Sequence, residues 1–251
     1  LSNRDLKAEK SFNHEIEFNG RSTGLGYIMS LYYSNYSDFI ELKQGTFSFQ
    51  EPLVQKPKNI SYAQNVNQTS AHLLGFDAAV QIYPGEWFDK LKGVILSSAF
   101  SYAEGKSSSG MSMLSIQPLT GNVGIEYTAP KALWQVNAKA NLYFAKPVSQ
   151  TTFWDKDVSG QEYIRRYPAS FMRNAYTFDI YGYYQLTHNL TLRAGIYNLF
   201  NSEYLRWDDL RQLTNPALLS NIKYFFQDGK KSLSRFTRPR RYISLTLEYK
   251  L

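Results

Sequence analysis

Two stretches of this chain combine residue types suited to ligand capture. In the first, Phe153-Trp154-Asp155-Lys156-Asp157 is followed closely by Tyr163-Ile164-Arg165-Arg166-Tyr167. Aromatic planes there sit beside two adjacent guanidinium groups. An aromatic face stacks on a flat apolar group, and arginine forms paired hydrogen bonds to a carboxylate. Tyrosine, tryptophan and arginine also dominate the energetic centres of protein–protein interfaces, so a protein ligand would draw on the same side chains. A solvated loop with only local packing is the plain alternative. The second stretch, Tyr224-Phe225-Phe226 before Asp228-Gly229-Lys230-Lys231, is too apolar for an idle loop tip and could fold over a cavity mouth.

Other arrangements offer less chemistry. The chain has three histidines and no cysteine, which excludes thiolate metal sites, disulfides and a cysteine nucleophile. His14 and His72 fall on the more apolar faces of predicted strands, and His188 falls in a short turn. A neutral imidazole can ligate heme iron, but none of the three belongs to a spaced metal-binding set. Ser107 to Ser109 lack a positioned base. The pairs Asp155/Asp157 and Asp208/Asp209 read as loop solvation, and Asp208 could bridge Arg211 beside Trp207. No histidine and serine share adjoining wet strand positions, so a barrel hydrolase is not supported and no enzyme is expected.

Strands must position these residues. The 251 residues include 43% hydrophobic side chains, with Tyr 20 and Phe 16. Mean hydropathy is nevertheless −0.42, and no run approaches the roughly 20 apolar residues of a membrane helix. A membrane barrel remains open, because alternating strands average out in any hydropathy window. The net charge of +7 is scattered, with no compact nucleic-acid motif.

The final residues show the organising pattern. Ile243, Leu245, Leu247, Tyr249 and Leu251 point one way, and Ser244, Thr246, Glu248 and Lys250 the other. That period of two describes a strand with one apolar and one wet face. About nine such strands are predicted, over residues 12–19, 25–42, 60–83, 91–103, 119–128, 134–146, 176–186, 190–204 and from 240 to the end. The fourth has an ambiguous register, since either Val94/Leu96/Phe100 or Ile95/Ala99 could face outward. Connections alternate between short and long, with long ones at 43–59, 105–110, 147–174 and 205–238. Transmembrane barrels alternate in this way, and several predicted strands match the roughly 9–11 residues needed to cross a bilayer at a tilt. Lys139 and Arg193 fall on wet faces. On the lipid side at mid-depth either would cost about 2–4 kcal/mol, so the wet faces are expected to line a lumen. A soluble β-sandwich, which also alternates, is the competing architecture.

Nine strands sit awkwardly with the even counts of bacterial barrels. The start at Leu1-Ser2-Asn3 fits either a removed leader or the back part of a longer protein, and the strand count favours the latter.

The segment Asn189-Leu-Thr-Leu-Arg-Ala-Gly-Ile-Tyr-Asn-Leu-Phe-Asn-Ser-Glu-Tyr-Leu-Arg-Trp-Asp-Asp-Leu-Arg211 resembles the penultimate strand of TonB-dependent outer-membrane receptors. More narrowly, it resembles the branch that takes heme from hemoglobin, to which transferrin and lactoferrin receptors are related. Leu6-Lys-Ala-Glu-Lys-Ser-Phe-Asn-His-Glu15, Ser115-Ile-Gln-Pro-Leu119 and Ala175-Tyr-Thr-Phe-Asp-Ile-Tyr-Gly182 agree with that branch. The resemblance covers essentially the whole chain. It implies an all-β fold, with residues 1–251 forming the C-terminal part of a barrel of about 22 strands. The family's plug, its TonB-engaging box and its heme-associated histidine would then lie upstream.

The implied function is uptake of heme as a transported ligand from hemoglobin at the outer membrane of a Gram-negative bacterium. The process would be driven through TonB, with no permanent cofactor. Heme's flat face and propionates suit Trp154, Tyr163, Arg165, Arg166 and Tyr167, with Tyr224, Phe225 and Phe226 as the second patch. A transferrin- or lactoferrin-type receptor and a passive porin or adhesin barrel are the alternatives. The chain departs from its relatives at Asn3-Arg4-Asp5-Leu6, where they read Asn-Pro-Asn-Leu or similar. It departs again at Arg238-Pro239-Arg240-Arg241, against Ala-Pro-Gly-Arg, and ends in Leu251 rather than Phe.

Overall fold

Antiparallel neighbours dominate the described residues. The computed structural model describes residues 3–49, 58–156, 162–166, 173–209 and 237–250. Its strands are β1 (Lys10–Ser22), β2 (Leu25–Phe49), β3 (Lys58–Ile82), β4 (Val94–Ser107), β5 (Thr120–Thr128), β6 (Trp134–Tyr143), β7 (Thr152–Lys156), β8 (Glu162–Arg166), β9 (Ala175–Thr187), β10 (Leu190–Tyr197) and β11 (Tyr242–Tyr249). Nine of them form one sheet in the order β1-β2-β3-β4-β5-β6-β9-β10-β11, while β7 and β8 pair separately. The sheet does not close on itself: β1 and β11 are its edges. This is a partial transmembrane β-barrel.

Register explains the alternation. Directly paired residues in an antiparallel ladder share a face. Ile82 pairs with Leu96, Leu96 with Ile125, Ile125 with Ala138, Ala138 with Ile180, Ile180 with Ile196, and Ile196 with Ile243. One unbroken apolar row thus crosses the sheet from β3 to β11. One residue away along each strand, Gln81 pairs with Ser97, Ser97 with Gly124, Gly124 with Lys139, and Lys139 with Asp179. A one-residue slip anywhere would exchange these rows, so the pattern fixes the pairing.

Burial is inverted relative to a water-soluble protein. On centrally placed strands Ile125 is 49% exposed, Val123 47% and Phe178 42%, whereas Ser30, Ser34 and Thr177 are buried. Among the described residues no second sheet layer covers the apolar face, so the sandwich alternative is set aside. Lipid is the medium that satisfies such a surface. Lys139 and Arg193 lie on the wet face as expected.

The ambiguous strand resolves. Leu96 lies between Ile82 and Ile125, so Val94, Leu96 and Phe100 face lipid and Ile95 faces the lumen opposite Glu126. Small residues on the lumenal side of β4 (Ser97, Ala99 and Ser101) made both readings open in the sequence.

Several boundaries differ from expectation. The polar stretch 43–59 reads as a loop in the sequence, but β2 and β3 each run for 25 residues and take up most of it. At roughly 3.3 Å per residue each reaches beyond the bilayer's requirement, and there the backbone ladder continues with water on both sides. The predicted loop 147–174 contains the short β7–β8 hairpin. β10 ends at Tyr197 rather than 204, because Asn198 takes a left-handed φ of 51°. β6 ends at Tyr143 rather than 146.

One edge of the sheet carries the connections 23–24, 83–93, 129–133 and 188–189; the other carries 50–57, 108–119, 144–174 and 198–241. The connection at 83–93 contains 3-10 turns at Pro84–Glu86 and Asp89–Leu91. It closes through Gly93, whose φ of 88° lets its carbonyl accept from Thr128 N at 2.8 Å. A Cβ on Gly93 would stand 2.2 Å from the Thr128 carbonyl oxygen.

Candidate functional site

The long-connection edge is where three loops are tied together. Trp207, only 4% exposed, donates from Nε1 to the Leu114 carbonyl at 2.7 Å. Lys146 is as deeply buried, at 3% exposed; its Nζ donates to the Ile116 carbonyl at 2.6 Å and stands 5.2 Å from the centre of the Trp207 ring. Two carbonyls of the 108–119 connection are thereby satisfied by side chains from the connections 144–174 and 198–241. A buried ammonium group is tolerated only with such partners. Gln150 adds a bond to the Tyr102 hydroxyl at 2.9 Å, and Ser112 donates to the Ser149 carbonyl at 3.3 Å.

Beside this clamp Tyr143 and Tyr204 stack at 5.1 Å, and the Arg206 guanidinium lies 5.5 Å over Tyr143. Burial, reinforced by neighbouring Tyr143, pushes the Tyr204 phenol up to about 12. Asp209 pairs with Arg238 at 3.0 Å and caps the backbone N–H of Arg206 at 3.0 Å. Asp209–Arg238 is thus an ion pair beside Trp207; Arg211, the expected partner of Asp208, lies outside the described residues.

The β7–β8 hairpin rises directly from this base, one residue after the fully buried Thr151. In its register Thr152 pairs with Arg166, Phe153 with Arg165, Trp154 with Ile164, and Asp155 with Tyr163. Four of the predicted ligand residues, Trp154, Tyr163, Arg165 and Arg166, are thus brought together on one two-stranded unit. The hairpin leaves the sheet between β6 and β9, yet β7 comes within 8 Å of β2 between Cα atoms. It leans toward the far side of the sheet. Tyr167, Tyr224, Phe225 and Phe226 lie outside the described residues.

Below the rim, the lumenal wall is polar and aromatic. Arg193 binds Glu248 at 3.0 Å and lies 5.5 Å over Tyr183. Tyr181, Tyr197 and Tyr242 stack nearly parallel, with centroids 6.0 and 4.8 Å apart. Asn141 donates to Asp179 at 2.8 Å and to Thr177 at 3.1 Å. In the β1–β3 part, the Ser30 hydroxyl donates to Glu15.

The Tyr197-Asn-Leu-Phe-Asn201 motif has a structural role. Asn198 is buried; its amide nitrogen donates to the carbonyls of Ser202 at 2.8 Å and Pro239 at 3.3 Å, and its Oδ1 accepts from Ser202 N at 2.9 Å. Leu199 N meanwhile donates to Phe178 O at 2.7 Å. The motif ends β10 and latches it to β9 and to the approach of β11.

The histidines stay apart. His14 packs edge-on against Phe12 at 4.6 Å, His72 pairs in register with Asn35 and Lys106, and His188 occupies a turn. Among the described residues no group of histidine and carboxylate side chains could hold a metal. Ser107, buried, bonds to Ser109 and to the Met111 carbonyl, which are loop contacts. The clamp itself was not anticipated. The sequence shows Trp207, but its alternation carries the sixth strand through Lys146, and nothing local announces that a lysine will be buried against a tryptophan 61 positions later.

Comparisons with known proteins match this geometry. Residues 1–199 fit the family described as TonB dependent receptor-like, beta-barrel. The chain is 30% identical over 98% of its length to the hemoglobin-haptoglobin-binding protein A of Haemophilus influenzae, covering 23% of that protein. It is 28% identical over 99% of its length to the hemoglobin-haptoglobin utilization protein B of Neisseria meningitidis serogroup A, covering 31% of it. In structure it superposes on the FrpB iron transporter of Neisseria meningitidis with a TM-score of 0.61 at 12% identity, covering 98% of this chain and 31% of that one. The ferric enterobactin receptor of Pseudomonas aeruginosa gives 0.61 at 18% identity, covering 97% and 32%. The chain therefore spans between about a quarter and a third of the proteins it matches.

Proposed function

Because the chain belongs to the TonB-dependent receptor β-barrel family, we propose that the receptor containing it takes up heme from hemoglobin across a Gram-negative outer membrane, driven through TonB. In this reading residues 1–251 are the C-terminal barrel part, and the plug and remaining strands belong to other parts of the same protein. The observation that carries the reading is the 30% identity, over 98% of this chain, to a hemoglobin-haptoglobin-binding protein. Host hemoglobin and TonB are the partners, and heme is cargo rather than a resident group.

The β7–β8 hairpin would dock the host protein and capture released heme. Its arginines would meet the propionates and its aromatics the porphyrin plane. The tyrosine-lined lumen would offer the passage. The whole receptor is read as a transporter without catalytic activity. Equilibrium binding of the intact receptor to hemoglobin, hemoglobin–haptoglobin, free heme and transferrin tests this directly. Saturable binding to hemoglobin supports it; saturable binding to transferrin alone rejects it in favour of an iron-stripping receptor.

A further inference from the structure

A shallow depression of about 520 Å³ lies in the lipid-facing wall across β3, β4, β5, β6 and β9. Small side chains, Ser98, Ala138 and Ala140, make its floor, and Leu96, Phe178 and Phe200 stand around it. At its long-connection end the Phe178 and Phe200 rings meet edge-to-face at 5.0 Å. There the exposed Arg241 reaches the carbonyl of Leu199, a lining residue, at 3.4 Å from Nη1. An apolar trough thus ends in a guanidinium group.

The depression lies in the hydrocarbon-facing part of the sheet, so only a lipid or another membrane-embedded segment can reach it. β3, β4, β5, β6 and β9 each have neighbours on both edges, so no backbone edge is open there to receive an added strand. Side-chain packing alone must hold an occupant, and an acyl chain requires nothing more. The cation at the outer end then selects the headgroup. Arginine in a lipid-facing setting is stable at the headgroup level, where it meets phosphate through charge-assisted hydrogen bonds.

We propose that this depression and Arg241 form a binding site for a phosphate-bearing acylated lipid of the leaflet at the long-connection edge. One acyl chain lies over Ser98, Ala138 and Ala140, and the phosphate is held by Arg241. The proposal rests on the transmembrane orientation and is independent of which host protein is bound.

The test uses the intact receptor in detergent, incubated with bis-phosphorylated lipid A or with its phosphate-free form, and native mass spectrometry of what it retains. The wild-type receptor retains the phosphorylated lipid in preference, and inorganic phosphate does not displace it. Arg241→Gln lowers retention of the phosphorylated lipid about tenfold, the order expected for losing one charged hydrogen bond, and leaves the phosphate-free lipid unchanged. Ala140→Phe, which fills the floor, lowers retention of both. Equal retention of the two lipids by the wild type overturns the proposal, as does unchanged retention in a folded Arg241→Gln receptor. If that variant does not fold, the Ala140→Phe receptor and the phosphate-free lipid decide the matter by the same criteria. Hemoglobin binding, measured on the same samples, is expected to be unaffected, so failure of the lipid site and failure of the uptake reading are separately visible.

Discussion

Replacing Trp207 by alanine is expected to release the long connections while leaving the strands intact. The indole is 4% exposed and donates at 2.7 Å to Leu114 O, with the buried Lys146 ammonium 5.2 Å from its ring centre. A buried tryptophan truncated to alanine costs about 3–5 kcal/mol, of which the hydrogen bond contributes about 1 and the cation–π contact about 1–2. That energy is local, because it joins loops rather than ladder partners. Opening of the clamp should therefore become about two to four orders of magnitude more frequent. Hydrogen exchange followed by mass spectrometry on the intact receptor reads this out. Amides in 108–119, 144–151 and 199–209 should exchange faster by that factor, while those of β5 and β6 keep their wild-type rates. Trp207→Phe, which loses the donor and keeps most of the packing, should fall near a tenfold effect. Loop exchange unchanged within tenfold, or equal acceleration in the strands, would refute the idea that this residue ties the rim together.

Arg165→Ala with Arg166→Ala should weaken heme and hemoglobin capture about tenfold or more, one charged hydrogen bond each being at stake; unchanged capture removes the hairpin from the site. Ala138→Arg should destabilise the folded barrel by about 2–4 kcal/mol in lipid vesicles, whereas Asn137→Arg on the lumenal side should cost far less, as guanidinium unfolding would show. Asn198→Ala removes the latch and places alanine at a φ of 51°, a penalty of about 1–2 kcal/mol before the lost hydrogen bonds. Asn198→Gly should recover the backbone part in the same unfolding measurement. The phenol of Tyr204 is raised from 10.0 to about 12. The folded rim therefore holds a proton that the unfolded chain has released, and its stabilising effect is complete below pH 10 and lost as pH rises through 12. Absorbance titration of phenolate should show the wild-type rim loosening across that window and Tyr204→Phe free of this step.

Most of the sheet was legible because a period of two is a direct consequence of strand geometry. Ile243 to Tyr249 and Trp134 to Leu142 are read with the faces they take, since apolar side chains fill one face of each and only polar ones (Ser244, Thr246, Glu248; Gln135, Asn137, Lys139, Asn141) fill the other. β4 could not be read alone. Its lumenal serines and alanines carry too little polarity, and only pairing with Ile82 and Ile125 decides it. The extension of β2 and β3 was hidden for a related reason: beyond the bilayer both faces are wet, so pairing leaves no alternation to detect. The end of β10 was hidden by the conformation of Asn198, a residue that tolerates left-handed φ but does not demand it. For the site, the sequence pointed to the hairpin residues by type, and their register brings Trp154, Tyr163, Arg165 and Arg166 into one unit. The clamp of Lys146 and Trp207 depends on contacts between distant loops, which no local pattern encodes.

The central claim is that one register of these strands meets lipid and the other meets a water-filled lumen. This chain contains no cysteine, so single cysteines along β6 can carry nitroxide labels without a competing thiol from these residues. The intact receptor in lipid vesicles, labelled in turn at 134 to 142, should show oxygen-accessible labels at 134, 136, 138, 140 and 142. Labels at 135, 137, 139 and 141 should be shielded from oxygen or reached by a water-soluble nickel reagent. Loss of the alternation, or its reversal, would contradict the barrel and everything built on it.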